Sequence, residues 1–395
     1  MKPLFIKKHL VLRVMVFFVF FAMLSISANA QDNIKISHGP YLQAMTDTSV
    51  TIVWTTNKPA VGWVELAPDD ASHFYQKERP KFFDASNGLK NISSVHKVML
   101  KSLQPNTRYR YRVYSQEVLK HEFVYVNYGN VAATDVYSKK PLSFITAGRP
   151  GPFEFAMVND IHERNNVLIK LLSQVDFKTT DFIVFNGDMI NNSSSEAQLF
   201  SGFMDTATLL FAKETPMYYA RGNHETRAPF ASKFPDYFPT TSGHLYYMFT
   251  RGEACFIVLD GGEDKPDTDI EYSGITDMDN YRTEQSKWLR EAVQTNTFKK
   301  AKFKIAICHI PPGGSWHGGR DIFEKWVPIL NDAGIQVMLS GHEHRHRIQQ
   351  PNADVKFPVI VNSNNDILKA KISDREARFS MFNLDGKKVD ELILH

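Results

Sequence analysis

The sequence predicts two domains in series, an all-β sandwich followed by an α/β layered domain, and three observations carry that expectation. Residues 33 to about 146 alternate polar and apolar side chains with a period of two and contain no stretch of helical period. From Phe153 onward, short apolar runs alternate with stretches whose apolar residues recur every three or four positions, which is strand alternating with helix. Five of those apolar runs end in Asp, Asn or His, residue types with no packing use at successive strand ends.

The first thirty residues stand apart from both domains. Lys2, Lys7, Lys8 and Arg13 make a basic start, Val14 to Ile26 is apolar, and Ala28-Asn29-Ala30 supplies a small-x-small cleavage site. Residues 1–30 are therefore expected to be a signal peptide, and the mature chain to begin at Gln31 as an exported protein, periplasmic or secreted. A transmembrane anchor is the alternative. The apolar run is shorter than the about 20 residues a span takes, so no membrane span is expected after cleavage. Removing residues 1–30 lowers Lys plus Arg from 46 to 42 against 43 acids, and the formal charge goes from +3 to −1. The basic balance belongs to the leader, and charge gives no support to a nucleic-acid or membrane-surface partner. Cys255 and Cys308 are too few for a disulfide framework, and the sequence leaves open whether they pair.

The sandwich is expected over 31–148. Ser49–Thr55, Gly62–Leu66, His96–Leu100 and Arg108–Tyr114 each alternate with β-branched or aromatic residues on one side. Trp54 in an early strand and the run Leu103–Tyr109 resemble the fibronectin type III sandwich, in which a Trp fills the core and a Tyr hydroxyl ties back to the backbone at a sheet corner. Lys139-Lys140-Pro141 and Gly148–Pro152 bracket the last strand. The α/β domain is expected over 149–395. Its strands are Phe182–Phe185, Met217–Ala220, Cys255–Leu259, Ile305–Cys308 and Val337–Leu339, and its helices Asn166–Gln174, Glu196–Lys213, Thr283–Thr295 and Ile322–Asp332. An Asp385-Gly386 turn between Phe379–Leu384 and Lys388–Leu394 predicts a closing hairpin. The stretch Gly262–Asp279, with seven carboxylates, is expected to be a solvated loop.

The polar blocks at the strand ends are Asp160-Ile161-His162, Gly187-Asp188, Gly222-Asn223-His224-Glu225, Cys308-His309 and Gly341-His342-Glu343-His344. Ligands of open α/β sheets gather at the carboxyl ends of strands. Converging on one edge of a sheet, these blocks would set about seven hard or borderline ligands around one point, enough for two divalent or trivalent metals and thus for phosphate-ester hydrolysis. Taken singly each block is weak; His309 alone would be read as a hydrogen-bonded core histidine. The glycine-rich Gly313–Arg320 that follows is placed to line the site, with His317 or Arg320 as candidate substrate contacts.

In order and spacing the blocks match the pattern D-x-H, G-D, G-N-H-[ED], H, G-H-x-H, so residues 153 to about 348 resemble the calcineurin-like metallophosphoesterases, which implies a domain of two β-sheets flanked by helices. Gly39-Pro40-Tyr41-Leu42-Gln43, Val53-Trp54 and Leu103–Tyr109 resemble the sandwich that precedes this domain in purple acid phosphatases. The resemblance implies one metal on Asp160, His162 and His344, a second on Asn223, His309 and His342, and Asp188 bridging both. It implies a metal-bridging hydroxide as nucleophile, with His224 beside the phosphate to donate a hydrogen bond or protonate the leaving oxygen. Asn223, His224, His317 and Arg345 are the expected substrate contacts. Where purple acid phosphatases carry the tyrosinate that gives the colour, this chain has Asn191, so no charge-transfer band and a permissive choice of Fe, Mn or Zn are expected. Asn191 is also expected to hydrogen-bond His224 without lending it negative charge. The expected activity is phosphomonoester hydrolysis of a small molecule or a phosphorylated substrate. A phosphodiesterase or nucleotidase is the alternative, and a non-catalytic surface binding protein the outside one.

Overall fold

Nine strands build the N-terminal part: β1 (Ile36–Gln43), β2 (Val50–Pro68), β3 (Lys81–Phe83), β4 (Ala85–Ser86), β5 (Leu89–Lys90), β6 (Ile92–Leu100), β7 (Arg108–Glu122), β8 (Tyr125–Ala133) and β9 (Leu142–Ile145). The computed structural model describes residues 32–135, 137–149 and 151–395, so the leader expected at 1–30 lies outside the described residues. The two strands expected at Ser49–Thr55 and Gly62–Leu66 are one 19-residue strand, β2. Its first half pairs with β1 and β6 and its second half with β7, with a register shift between Thr55 and Ala60. An irregularity there lets one strand serve both layers of the sandwich. Trp54 fills the core with Val64, Val98, Tyr111 and Phe144, and its indole N–H donates to Ser115 Oγ at 2.8 Å. The Tyr109 hydroxyl accepts the amide N–H of Gln104 at 3.0 Å, the corner its spacing predicts.

The C-terminal part is two six-stranded sheets packed face to face. One runs β12 (Met217–Ala220), β11 (Phe182–Asn186), β10 (Phe153–Val158), β19 (Asp366–Ile372), β20 (Ala377–Asn383), β21 (Lys388–Leu394). The other runs β13 (Tyr247–Arg251), β14 (Ala254–Leu259), β15 (Phe303–Cys308), β16 (Val337–Ser340), β18 (Val359–Val361), β17 (Arg347–Gln349). Strands β10, β11 and β12 are parallel, as are β14, β15, β16 and β18, and the chain closes on the expected antiparallel hairpin. Phe155 and Met157 point into the layer between the sheets, while Ala156 and Val158 point outward under the helices, and all four are buried. Burial on both faces is why these strands read as continuous apolar runs. The ligand-bearing strand ends thus come from two facing sheets, three from one and two from the other. The expected single sheet edge is corrected accordingly.

The helix expected over Ile322–Asp332 is two helices, His317–Lys325 and Val327–Asp332, parted at Trp326. Pro328 lacks the N–H an interior turn needs and is tolerated only in a first turn. The stretch Glu196–Lys213 alternates α and π turns. Cys255 and Cys308 are free and buried in the core under the helices of the second sheet. Among the described residues no helix is long and apolar enough to cross a membrane.

Lys35–His395 form one compact unit. Tyr41 and Val53 of the sandwich belong to the same buried cluster as Phe200, Phe203 and Tyr237 of the catalytic part. The Tyr41 hydroxyl donates to the Tyr237 carbonyl at 2.9 Å, Tyr111 to Lys213 at 2.6 Å, and Tyr218 returns a bond to Met45 at 2.7 Å.

Candidate metal centre

The chain leaves each strand through a turn that throws a polar side chain back over the strand end. Five of the seven candidate ligands lie in the left-handed region: Asp160 (φ 53°), His162 (48°), Asp188 (54°), His342 (71°) and His344 (57°). Non-glycine residues rarely take that conformation, and it costs on the order of 1–3 kcal/mol each where it occurs. Such strain clusters where surrounding structure fixes a functional arrangement. Gly222 permits the closest approach: a Cβ there would lie 2.2 Å from Asp188 Oδ1. Gly341 does the same for Asp160, whose Oδ2 would sit 2.7 Å from an added Cβ.

Two three-residue clusters result, Asp160–His162–His344 and Asp188–His309–His342, each with its ligand atoms within 4.8 Å of one another. His162 Nε2 is 3.1 Å from His344 Nε2, and His344 Nε2 is 3.3 Å from Asp160 Oδ1. His309 Nε2 lies 3.1 Å from Asp188 Oδ2 and 3.8 Å from Asp160 Oδ1, so it links the two clusters. Asn223 Oδ1 is 3.1 Å from His342 Nδ1. A third grouping, His162–Asp188–His224, also meets the distance criterion, with His224 Nε2 3.9 Å from Asp188 Oδ2.

The donor set fits metal ions on an observation of the fold itself. Asp160 Oδ1 and His309 Nε2 are buried polar atoms that make no well-directed hydrogen bond, although His344 Nε2 and Asp188 Oδ2 stand 3.3 and 3.1 Å from them. Leaving such atoms unpaired costs about 1–3 kcal/mol apiece, more for charged groups; here both aim at the point where the ligands converge. Burial disfavours the charged form of His309, but Asp188 and Asp160 outweigh it and raise the imidazole to about 10, so a metal would take the place of a proton that the two carboxylates otherwise hold there. Burial likewise opposes ionisation of Asp188, yet His309 and then His224 hold its carboxyl well below the usual range. Burial brings His162 down to about 4, the neutral form a ligand needs.

Residues around the ligands hold them in place. Asn159 Nδ2 donates to Asp160 Oδ2 at 2.6 Å and to the Asn362 carbonyl at 3.0 Å, while the His342 amide donates to the same Asp160 oxygen at 2.9 Å. His309 Nδ1 is 2.7 Å from the Asn186 carbonyl, which sets Nε2 toward the centre. Glu225 is fully buried and takes the amides of Asp188, Met189 and Gly222 and the Tyr219 hydroxyl at 2.8–2.9 Å. The ligand motif does not single out Asn159, Asn362 or Asn186. Polar residues at strand ends hint at the first and third, but nothing in the sequence ties Asn362 to a site 203 positions away.

Two expectations change in detail, for His224 and for the acidic stretch. His224 Nδ1 is 2.7 Å from the backbone carbonyl of Asn191, so the main chain and not the Asn191 side chain orients the ring. That carbonyl requires the proton on Nδ1 and leaves Nε2 facing the cluster. His317 Nε2 bonds Asp279 Oδ1 at 2.7 Å, and Arg345, its side chain 77% exposed, leans on Glu343 at 3.4 Å. The acidic stretch is solvated only in part: Glu263 and Asp264 are buried, with Arg227 reaching them at 3.0 and 3.3 Å, while Glu271 and Asp277 are exposed as expected.

Comparison with known proteins agrees with this geometry. The profile of calcineurin-like phosphoesterases matches residues 153–346, and that of the purple acid phosphatase N-terminal domain matches residues 39–131. Purple acid phosphatase 18 of Arabidopsis thaliana is 21% identical over 381 residues, 89% of this chain and 77% of that one. A purple acid phosphatase from yellow lupin (Lupinus luteus) seeds superposes with a TM-score of 0.64 at 14% identity, over 90% of this chain and 73% of that one. At such identities the structural likeness shows the fold alone. Every ligand position of the motif is filled here, and the chain carries in series a region that matches the purple acid phosphatase N-terminal domain and one that matches the calcineurin-like phosphoesterases, a family of metal-dependent phosphoester hydrolases.

Proposed function

We propose that this protein is an exported phosphomonoesterase with a dinuclear metal centre, and that the two linked ligand clusters are the observation that carries this reading. Asp160, His162 and His344 would hold one ion, Asn223, His309 and His342 the other, with Asp188 between them. Two bound cations supply Lewis acidity toward the phosphate and acidify the attacking water. The protein's own groups do the rest. Glu225, Asn159 and the backbone bonds hold the carboxylates before substrate arrives, so no reorganisation is needed during reaction. His224, its Nδ1–H held by the Asn191 carbonyl, presents Nε2 to the leaving oxygen. The Asn223 side chain stands beside His342, where a phosphate oxygen would enter. With Asn191 at the third position after Asp188, Fe, Mn and Zn are all suitable and no tyrosinate colour arises.

The test is turnover of mono- and bis-p-nitrophenyl phosphate by purified residues 31–395 reloaded with Mn, Zn or Fe, with Asp188→Ala as control and metal content measured on both. Faster monoester turnover, lost together with metal in the control, is the expected outcome. Faster diester turnover would make the protein a phosphodiesterase, and metal-loaded protein silent on both would remove the enzymatic reading.

A further inference from the structure

The loop after His309 presents one large aromatic side chain at the metal centre. Trp316 is 48% exposed, and its ring meets that of His342 edge-on with centroids 6.2 Å apart. Its neighbours His317 and Arg320, the contacts expected from the sequence, are engaged elsewhere: His317 with Asp279, and Arg320 with the Ser315 carbonyl.

The loop is braced on several sides. The Gly313 amide donates to the Gly319 carbonyl at 2.7 Å, and the Gly318 amide to the Asp264 carbonyl at 2.9 Å. Arg282, fully buried, ties together the surrounding chain: it donates to the Gly261 and Glu263 carbonyls at 2.9 and 3.1 Å and to Asp321 at 2.5 Å. Trp326 Nε1 in turn donates to the Arg282 carbonyl at 3.0 Å. The helix His317–Lys325 that follows Trp316 is anchored by the same network. A half-exposed indole on so firmly held a backbone is a preorganised flat surface beside the candidate ligand His342.

We infer that Trp316 is the platform on which the leaving group lies, and that the preferred substrates are phosphate monoesters whose leaving alcohol carries a flat aromatic ring, as an aryl alcohol or a nucleoside does. This rests on the phosphomonoesterase reading above. An indole face stacks an aromatic ring without regard to its hydrogen-bonding edge, whereas a sugar or glycerol group gains little from it.

The experiment compares kcat/KM for adenosine 5′-monophosphate, p-nitrophenyl phosphate and ribose 5-phosphate in the metal-loaded protein and in Trp316→Ala and Trp316→Phe. In Trp316→Ala the ratio of each aromatic ester to ribose 5-phosphate is expected to fall about tenfold, or about 1.4 kcal/mol, through KM more than kcat, and Trp316→Phe to restore most of it. A fall with only one aromatic ester identifies aryl or nucleoside as the source. An equal loss on all three substrates would overturn the inference. A second readout is independent of turnover: the affinities of phenylphosphonate and propylphosphonate, measured calorimetrically. Preference for the phenyl compound that disappears in Trp316→Ala supports the platform even if nothing is hydrolysed, in which case the phosphatase reading fails by itself. Equal affinities in the unsubstituted protein would overturn the platform.

Discussion

Glu225 shows how much of a metal site is made by residues that never touch the metal. Burial, and then the nearby Asp188 charge, push its carboxyl up, while the Asp188 amide and the Tyr219 hydroxyl stabilise the ionised form. Through it the turn that carries Asp188 is joined to Gly222 at the head of the turn that carries Asn223 and His224. Glu225→Ala would leave three backbone donors and a hydroxyl unpaired in a dry interior. Stability is expected to fall by about 3 kcal/mol or more, and bound metal to drop with it. Denaturant unfolding with metal analysis of the folded fraction checks both. A fully stable variant with full metal content would show that Glu225 merely fills space.

At the scale of the element, the turn Asp160–Arg164 decides the first ligand cluster. Asp160, His162 and Glu163 all have positive φ, and Arg164 clamps the result. Its guanidinium donates to the Asp160, Ile161 and Asn364 carbonyls at 2.8–3.0 Å and to the Asn365 side chain at 3.0 Å. These bonds hold a backbone that would otherwise relax. Arg164→Ala is therefore expected to weaken metal binding about 10- to 100-fold while the fold persists. Competition with a chelator gives the affinity and circular dichroism the fold; unchanged affinity would assign the turn's shape to packing alone. The same paired strand ends explain the two-sheet origin of the site. A parallel strand must deliver its following loop at its carboxyl end, and two facing sheets with that end in common bring their loops together.

At the scale of the molecule, the sandwich is bound into the catalytic part through Tyr41 and its hydroxyl bond, so the two parts are expected to share their stability. That gives His96 an effect on the whole chain. The Thr56 hydroxyl donates to the Lys58 carbonyl and so accepts from His96 Nε2, while Nδ1 is buried without a partner. Burial therefore lowers the imidazole to about 4. The unfolded chain takes up a proton near pH 6.5 that the folded one refuses until about pH 4, so stability is full above 6.5 and is lost as pH falls through that window. The loss is at most about 3 kcal/mol. Denaturant midpoints at pH 7.5 and 4.5 with and without His96→Gln measure it, and an identical acid slope in the variant would assign the effect to other groups.

Many of the strands, the terminal hairpin, the fibronectin-like corner at Tyr109 and the polar blocks that close the apolar runs were legible in the sequence, because period-two alternation, buried parallel runs and polar residues at strand ends are local patterns. What lay between distant positions was not. Asn362 meets Asn159, and through it Asp160, only once the chain has folded; the four donors to Glu225 come from the turn after β11 and from the end of β12; and Glu263 and Asp264, at the start of the acidic stretch, are buried against Arg227. The continuity of β2 was hidden because Asn57-Lys58-Pro59 interrupts its apolar pattern, and the break at Trp326 because the buried Ile322, Trp326 and Leu330 keep helical spacing across it.

Local periodicity and residue chemistry thus determined the fold class and singled out the polar blocks at the strand ends. Only the tertiary structure decided which carbonyl orients His224, which side chains brace the carboxylates, and that the Trp316 ring lies against that of His342. The physical reason is that a hydrogen bond or a stacked ring needs groups within a few ångströms, and sequence spacing does not carry that distance once the chain crosses between sheets.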